Sequence, residues 1–158
     1  VAERFCLDTS FLINGWHKRY RIDVFPSLWD TLSVLMQAGT VFSCHDVYLE
    51  LQHQDDELLV WAKERAAAFE KPTEEVLAEL ARIMGRFSNF AAQGGAKNRA
   101  DPFVIAHARV DGAIVVTDEQ WADRQKATKP PKVPNACDAL GVSWMRPIDF
   151  LGAIDIKL

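Results

Sequence analysis

Five acidic residues stand where a carboxylate can do chemistry. Asp8 ends the apolar run RFCLD and is followed at once by Thr9 and Ser10. Glu50 lies in a stretch of helical pattern, Asp101 opens DPFVIAHARV, and Asp118 and Glu119 follow GAIVVT. Singly, each has an ordinary explanation. Asp, Thr and Ser at a helix start accept hydrogen bonds from the first free N–H groups, and Asp101 before Pro102 suits a helix opening. A helical Glu such as Glu50 is commonly solvated or ion-paired, and an Asp after a strand is ordinary turn chemistry. As an ordered set, all at strand ends or along helices that meet one edge of a fold, they suggest oxygen ligands for a hard cation. Two carboxylates about 4 Å apart repel by roughly 4 kcal/mol at an effective dielectric near 20, so clustered acids are protonated or splayed unless a cation neutralises them. Oxygen-only ligation suits Mg²⁺ or Mn²⁺. Such an ion activates water and offsets charge on a departing oxygen, which makes phosphodiester hydrolysis the natural reaction class.

The elements that must position these acids alternate. RFCLD reads as a buried strand, and PSLWDTLSVLMQAG as a helix with Leu28, Trp29, Leu32, Leu35 and Met36 on its apolar face. Ser27 with Asp30 forms a capping-box pattern at its start, and Gly39 stops it. TVFS is a second strand, with a helix from about His45. DDELLVWAKERAAAF and PTEEVLAELARIMGRFSNF read as two amphipathic helices separated by Lys71-Pro72, and AAQGGAKNR as a loop. DPFVIAHARV is a helix, GAIVVT a β-branched strand bounded by Gly112, and KATKPPKVPN a Pro- and Lys-rich loop. A short helix to Gly141, a strand VSW and a C-terminal helix follow. Strands alternating with helices, and apolar along their length, predict an α/β fold whose central, mostly parallel sheet is flanked by helices on both faces. In such sheets ligands gather outside the carboxyl ends of the strands. Asp8 and Asp118-Glu119 fall at two such ends.

Composition narrows the function classes. The 158 residues are 49% hydrophobic and 25% charged, an ordinary balance for one globular domain over 1–158. No apolar stretch approaches the ~20 residues of a membrane span, and the first residues lack a signal-peptide pattern. A formal net charge of −4 argues against bulk electrostatic grip on nucleic acid but not against local basic patches. Cys6, Cys44 and Cys137 are scattered, with no C-x-x-C pair. They read as buried free thiols of a cytoplasmic protein.

The ordered acids resemble the PIN-domain nucleases. That family's Asp-Thr-Asn/Ser matches Asp8-Thr9-Ser10, and its helical Glu some forty residues on matches Glu50. Its Asp opening a helix matches Asp101 in ADPFVIAHA. Its Thr-x-Asp matches Thr117-Asp118-Glu119, with Glu where the family has Asp. The resemblance extends to VapC-type toxins of bacterial toxin–antitoxin pairs. It implies a metal-dependent endoribonuclease with RNA as substrate, a cognate antitoxin protein as partner, and a homodimer. Asp8, Glu50 and Asp101 would be direct or water-mediated ligands of Mg²⁺ or Mn²⁺, with Asp118 or Glu119 completing the site and Ser10 orienting a ligand or water. Strand alternation favours Glu119, which shares a side with Thr117 if the chain stays extended. The alternative is a catalytically inactive PIN scaffold binding RNA or a protein partner.

Other motifs are weaker. A dehalogenase-like phosphatase would need a second acid where Ser10 stands, and Gly94-Gly95 before Lys97 lacks the G-K-[ST] of a P-loop. His45 and His53 lie two helical turns apart, and His17 and His107 have no partner at ligand spacing, so packing or surface roles suit all four. Trp29 and Trp61 read as core. WHKRYR (Trp16 to Arg21) interleaves basic and aromatic residues in a way suited to phosphate contact and base stacking. Lys97 and Arg99 ahead of Asp101, and Lys126, Lys129 and Lys132 after Glu119, are further basic candidates.

Overall fold

A computed structural model of the chain describes residues 3–54, 56–92, 99–123 and 129–156. Its first half runs β1 (Phe5–Leu7), α1 (Thr9–Asn14), a π-helical turn (Gly15–Arg19), α2 (Pro26–Ala38), β2 (Val41–Cys44), α3 (His45–Gln52), α4 (Glu57–Lys63), a 3-10 turn (Ala66–Ala68) and β3 (Phe69–Glu70). The second half adds α5 (Glu74–Arg86), α6 (Asn89–Ala92), α7 (Asp101–Asp111), β4 (Ile114–Val116), α8 (Val133–Leu140), β5 (Trp144–Met145) and α9 (Pro147–Ala153). The strands form one sheet in the order β3-β2-β1-β4-β5. Every pairing is parallel, with Phe5 opposite Val41 and Ile114, and Cys6 opposite Phe42 and Val115. The fold is α/β.

Alternation along β1 shows how both faces are covered. Phe5 packs edge-on against Phe150 of α9, with ring centroids 5.2 Å apart. Cys6, pointing the other way, meets the backbone of Val104 in α7, and its register partner Phe42 lies against His107 of the same helix. A strand buried on two sides has no polar face to show, which is why β1 and β2 are buried at every position. Trp16, Trp29 of α2 and Trp61 of α4 form a cluster of edge-to-face and tilted rings with centroids 4.8 to 6.2 Å apart. Such pairs add about 0.5–1.5 kcal/mol each beyond burial. Trp16 is therefore core and not an open base-stacking surface, contrary to the reading of WHKRYR.

Three local expectations change. Pro26, not Ser27, opens α2, and Phe25 precedes it with no side-chain cap; proline's fixed φ and missing N–H suit that first position, so no capping box is needed. The helix over 57–63 ends well before Phe69, because Phe69 and Glu70 pair with Ser43 and Cys44 as an edge strand. Ala66–Ala68 keep a single 3-10 turn just ahead of the paired residues. The next helical stretch is two pieces: α5, capped by Thr73 accepting from the Val76 N–H at 3.2 Å, and the short α6. Gly39, Gly112 and Gly141 end α2, α7 and α8 in the left-handed conformation that glycine adopts without strain. Cys6, Cys44 and Cys137 are buried free thiols, and among the described residues no helix is long and apolar enough to cross a membrane.

Candidate metal centre

The strand order places a crevice. From β1 the chain moves outward to β2 and β3, then returns across the sheet to β4 on the other side of β1. Between β1 and β4 the connections diverge to opposite sides, and such switch points are where open parallel sheets bind ligands. Asp8 leaves the carboxyl end of β1, and Thr117, Asp118 and Glu119 leave that of β4.

Asp8 is buried and caps α1, its Oδ1 accepting from the Thr9 N–H at 2.9 Å. The ordinary explanation thus holds for one oxygen. Oδ2 has another task, accepting from the Ser10 hydroxyl at 2.7 Å and the Thr117 hydroxyl at 2.9 Å. Ser10 Oγ in turn accepts from the Asp118 N–H at 2.9 Å, and Thr117 Oγ1 from the Glu119 N–H at 3.1 Å. Two hydroxyls therefore tie the ends of β1 and β4 together around one carboxylate.

Asp101 is not a cap. It is the first residue of α7, preceded by Ala100, which caps nothing through its side chain. The free N–H of Ala100 is instead taken by Glu50 Oε1 at 2.6 Å, so Glu50 acts across 50 residues as the cap that α7 lacks locally. Asp101 is left buried at 4% exposure, with no hydrogen-bond donor among the described residues and with the charges of Asp8, Glu119 and Glu50 set against its own.

Asp118 and Glu119 diverge. Glu119 offers a carboxylate oxygen that lies, with one from Asp8 and one from Asp101, in a group whose atoms are all within 4.8 Å of one another. Its Oε1 also accepts from the Val133 N–H at 3.1 Å, satisfying an orphan donor at the start of α8. Asp118 is held elsewhere. Asn14 Nδ2 donates to its Oδ2 at 2.7 Å, Arg19 Nε at 3.2 Å, and Arg146 donates to its Oδ1 at 3.3 Å. The structure thus groups Asp8, Asp101 and Glu119, keeps Glu50 beside them, and turns Asp118 towards two arginines.

Charge within the group is poorly balanced. Burial, opposed by the Ser10 and Thr117 hydrogen bonds, raises the Asp8 pKa. Burial raises Glu50 and Glu119 as well, with the Asp8 charge adding to both. Asp101 is pushed well above the usual carboxylate range, first by burial and then by Asp8, Glu119 and Glu50; Lys132 opposes this. A buried carboxylate with no hydrogen-bond donor among the described residues, set among three other acids, fits a cation. The set is all oxygen and fits Mg²⁺ or Mn²⁺.

Arg146 was not legible as a site residue. Its guanidinium donates to the carbonyls of Asp118 and Glu119 at 2.7 and 2.8 Å, fixing the turn that presents Glu119. Nothing in VSWMRP announces a partner 28 residues earlier. Of the basic candidates, Arg19 reaches Asp118, while Arg99 and Lys129 are exposed. Lys97 and Lys126, with Gly94-Gly95, lie outside the described residues. Among the histidines, His17 pairs with Asp56 at 2.9 Å, His45 stacks on Tyr48, and His107 is buried beside Phe42.

A family model described as a domain of unknown function, DUF4411, matches residues 5–158. Comparison with curated proteins finds no match.

Proposed function

We propose that the chain, which belongs to the DUF4411 family, is a divalent-metal-dependent endoribonuclease. The observation that carries this reading is the group of Asp8, Asp101 and Glu119 oxygens within 4.8 Å of one another at the sheet's switch point. These three residues would hold Mg²⁺ or Mn²⁺. When bound, the ion supplies Lewis acidity toward a water and a phosphoryl oxygen. The chain's own residues do the positioning. Ser10 and Thr117 fix the orientation of Asp8, Glu50 holds the first turn of α7 and so the depth of Asp101, and Arg146 holds the turn that carries Glu119. On the likeness to VapC-type toxins, the enzyme is the toxin of a bacterial pair, acting on RNA in the cytoplasm. It works as a homodimer and is restrained by a cognate antitoxin protein.

One observation favours the other reading, an inactive scaffold that binds RNA or protein. Glu119 Oε1 already holds the start of α8, a structural task that needs no metal. Incubation with mixed RNA substrates, with and without Mn²⁺, decides between them. Metal-dependent cleavage at mapped sites supports the enzyme. Intact RNA together with no metal-induced change in melting temperature supports the scaffold.

A further inference from the structure

Beside the acids lies a cationic recess that the proposed reaction does not yet use. Arg19, Tyr20, Asp118, Arg146, Pro147 and Ile148 line a cavity of about 80 Å³, too small for a nucleobase with its sugar. Two guanidiniums face one carboxylate there, at 3.2 and 3.3 Å, which leaves one positive charge in excess. Arg146 is spent on the carbonyls of Asp118 and Glu119. Arg19 differs. Among the described residues it is tethered through Nε alone, to Asp118, whose side chain is 4% exposed, while its own side chain is 51% exposed. The tether aims the guanidinium and leaves its two outer nitrogens to present a fork. The Asp118 N–H donates to Ser10 Oγ, which itself donates to Asp8, so the residue that tethers Arg19 is joined through one hydroxyl to the acidic group.

We infer that this recess is a phosphate subsite: Arg19, held in place by Asp118, takes a phosphate group of the substrate strand next to the bond that is cut. The inference rests on the endoribonuclease reading. It gives Asp118 a purpose other than metal ligation. A site built from three acids repels a polyanion, and a fixed guanidinium at its rim offsets that repulsion where the strand must pass. A phosphate contact positions the strand without reading its sequence.

The test is equilibrium binding of short single-stranded RNAs across a salt series. Ca²⁺ replaces Mn²⁺, because it fills oxygen sites without demanding octahedral geometry. Wild type is compared with Arg19→Ala, Arg19→Gln and Arg19→Lys, on strands carrying either a 5′-hydroxyl or a 5′-phosphate. Loss of one phosphate contact lowers the slope of log K against log salt by about 0.7. Arg19→Ala and Arg19→Gln should show that loss, with affinity about tenfold weaker on every sequence, while Arg19→Lys keeps the slope. An equal effect on both strands assigns an internal phosphodiester; an effect confined to the 5′-phosphate strand assigns the terminal group. An unchanged slope in Arg19→Ala, with wild type still binding and cleaving RNA, overturns the subsite and leaves the enzyme reading intact. Failure of wild type to cleave RNA in Mn²⁺ overturns the enzyme reading, and the subsite with it.

Discussion

The two ends of β1 carry opposite charges and settle them in opposite ways. At the amino end, Arg4 donates to Glu70 at 2.8 Å, to Asp111 at 2.6 Å and to the Gly39 carbonyl at 2.9 Å, and lies over the Phe42 ring at 4.1 Å. Each partner belongs to a different element, so one guanidinium fastens the edge strand, the end of α7 and the turn after α2. At the carboxyl end, Asp8 has hydrogen-bond donors, but its charged neighbours Asp101, Glu119 and Glu50 share its sign. Lys132 opposes them, acting on Asp101 and Glu119. Balanced charge at one end reads as fastening; the concentrated buried acids at the other fit the cation site proposed above. The same short strand therefore separates a structural end from a chemical one.

The sharpest way to break this contrast is Asp101→Asn. It removes charge where charge is least tolerated, so it should cut RNA cleavage by at least about a hundredfold while leaving the metal-free fold as stable as wild type or more so. Wild type should gain about 2.7 kcal/mol when free Mn²⁺ stands a hundredfold above its dissociation constant, and the variant little of it. Thermal melts with Mn²⁺ and with chelator read both. If chelator leaves the wild-type melt unmoved, the chemical end is no metal site.

A smaller effect separates two adjacent acids. Glu119→Gln should weaken Mn²⁺ binding by about ten- to a hundredfold, the larger share of any loss in the pair. Asp118→Asn should cost less in metal affinity, because its carboxylate serves Arg19, Arg146 and Asn14. Calorimetric titration of both variants gives the ranking, and a reversed order would move Asp118 into the metal site.

Arg4→Ala should do the converse of Asp101→Asn. It strips two partly exposed carboxylates and a carbonyl of their donor, at a cost of about 1–2 kcal/mol in unfolding free energy. Metal affinity of the folded protein should stay as it was. Denaturant melts and titration together detect any leakage from one end to the other.

The smallest signal is a slope. Asp101, Asp8, Glu50 and Glu119 have folded-state pKa values raised above those of the unfolded chain. The folded protein thus holds their protons more tightly, and metal-free stability falls as pH rises from about 4, through the ordinary carboxylate range, toward the raised values. Mn²⁺ should flatten that fall, and so should Asp101→Asn. A metal-free stability that rises over this interval would mean the acids are better balanced than their burial indicates.

Much of the contrast could be read before the fold was known, and the rest could not for definite reasons. Strand ends were legible because apolar runs stop at polar residues, which exposed Asp8 and the Thr117-Asp118-Glu119 turn. The period of two along GAIVVT singled out Glu119, the acid that the structure groups with Asp8 and Asp101. What sequence hides is pairing at a distance. Arg4 meets Asp111 across 107 residues and Arg19 meets Asp118 across 99, and no local pattern marks either. The two-residue strand β3 is too short to show a period. Ser27 beside Pro26 imitates a cap, because the sequence motif cannot say which residue begins the helix. The resemblance makes Glu50 a metal ligand, and its cap on Ala100, which no local pattern marks, exists only once α3 and α7 meet.

Placing β1 in the middle of the sheet also fixes when the acidic group can exist. Its second neighbour, β4, lies more than a hundred residues downstream, and Asp8 and Thr117 are 109 residues apart. Contacts of such sequence separation carry a loop-closure cost and are slow to form. A chain emerging from the ribosome can build β1, β2 and the helices between them long before Glu119 has been synthesised, and Arg146, which seats the Glu119 turn, comes later still. Until then the amino-terminal half holds Asp8 and Glu50 without the partners that concentrate their charge. A half-made copy therefore lacks the carboxylate grouping on which the proposed cleavage of RNA depends.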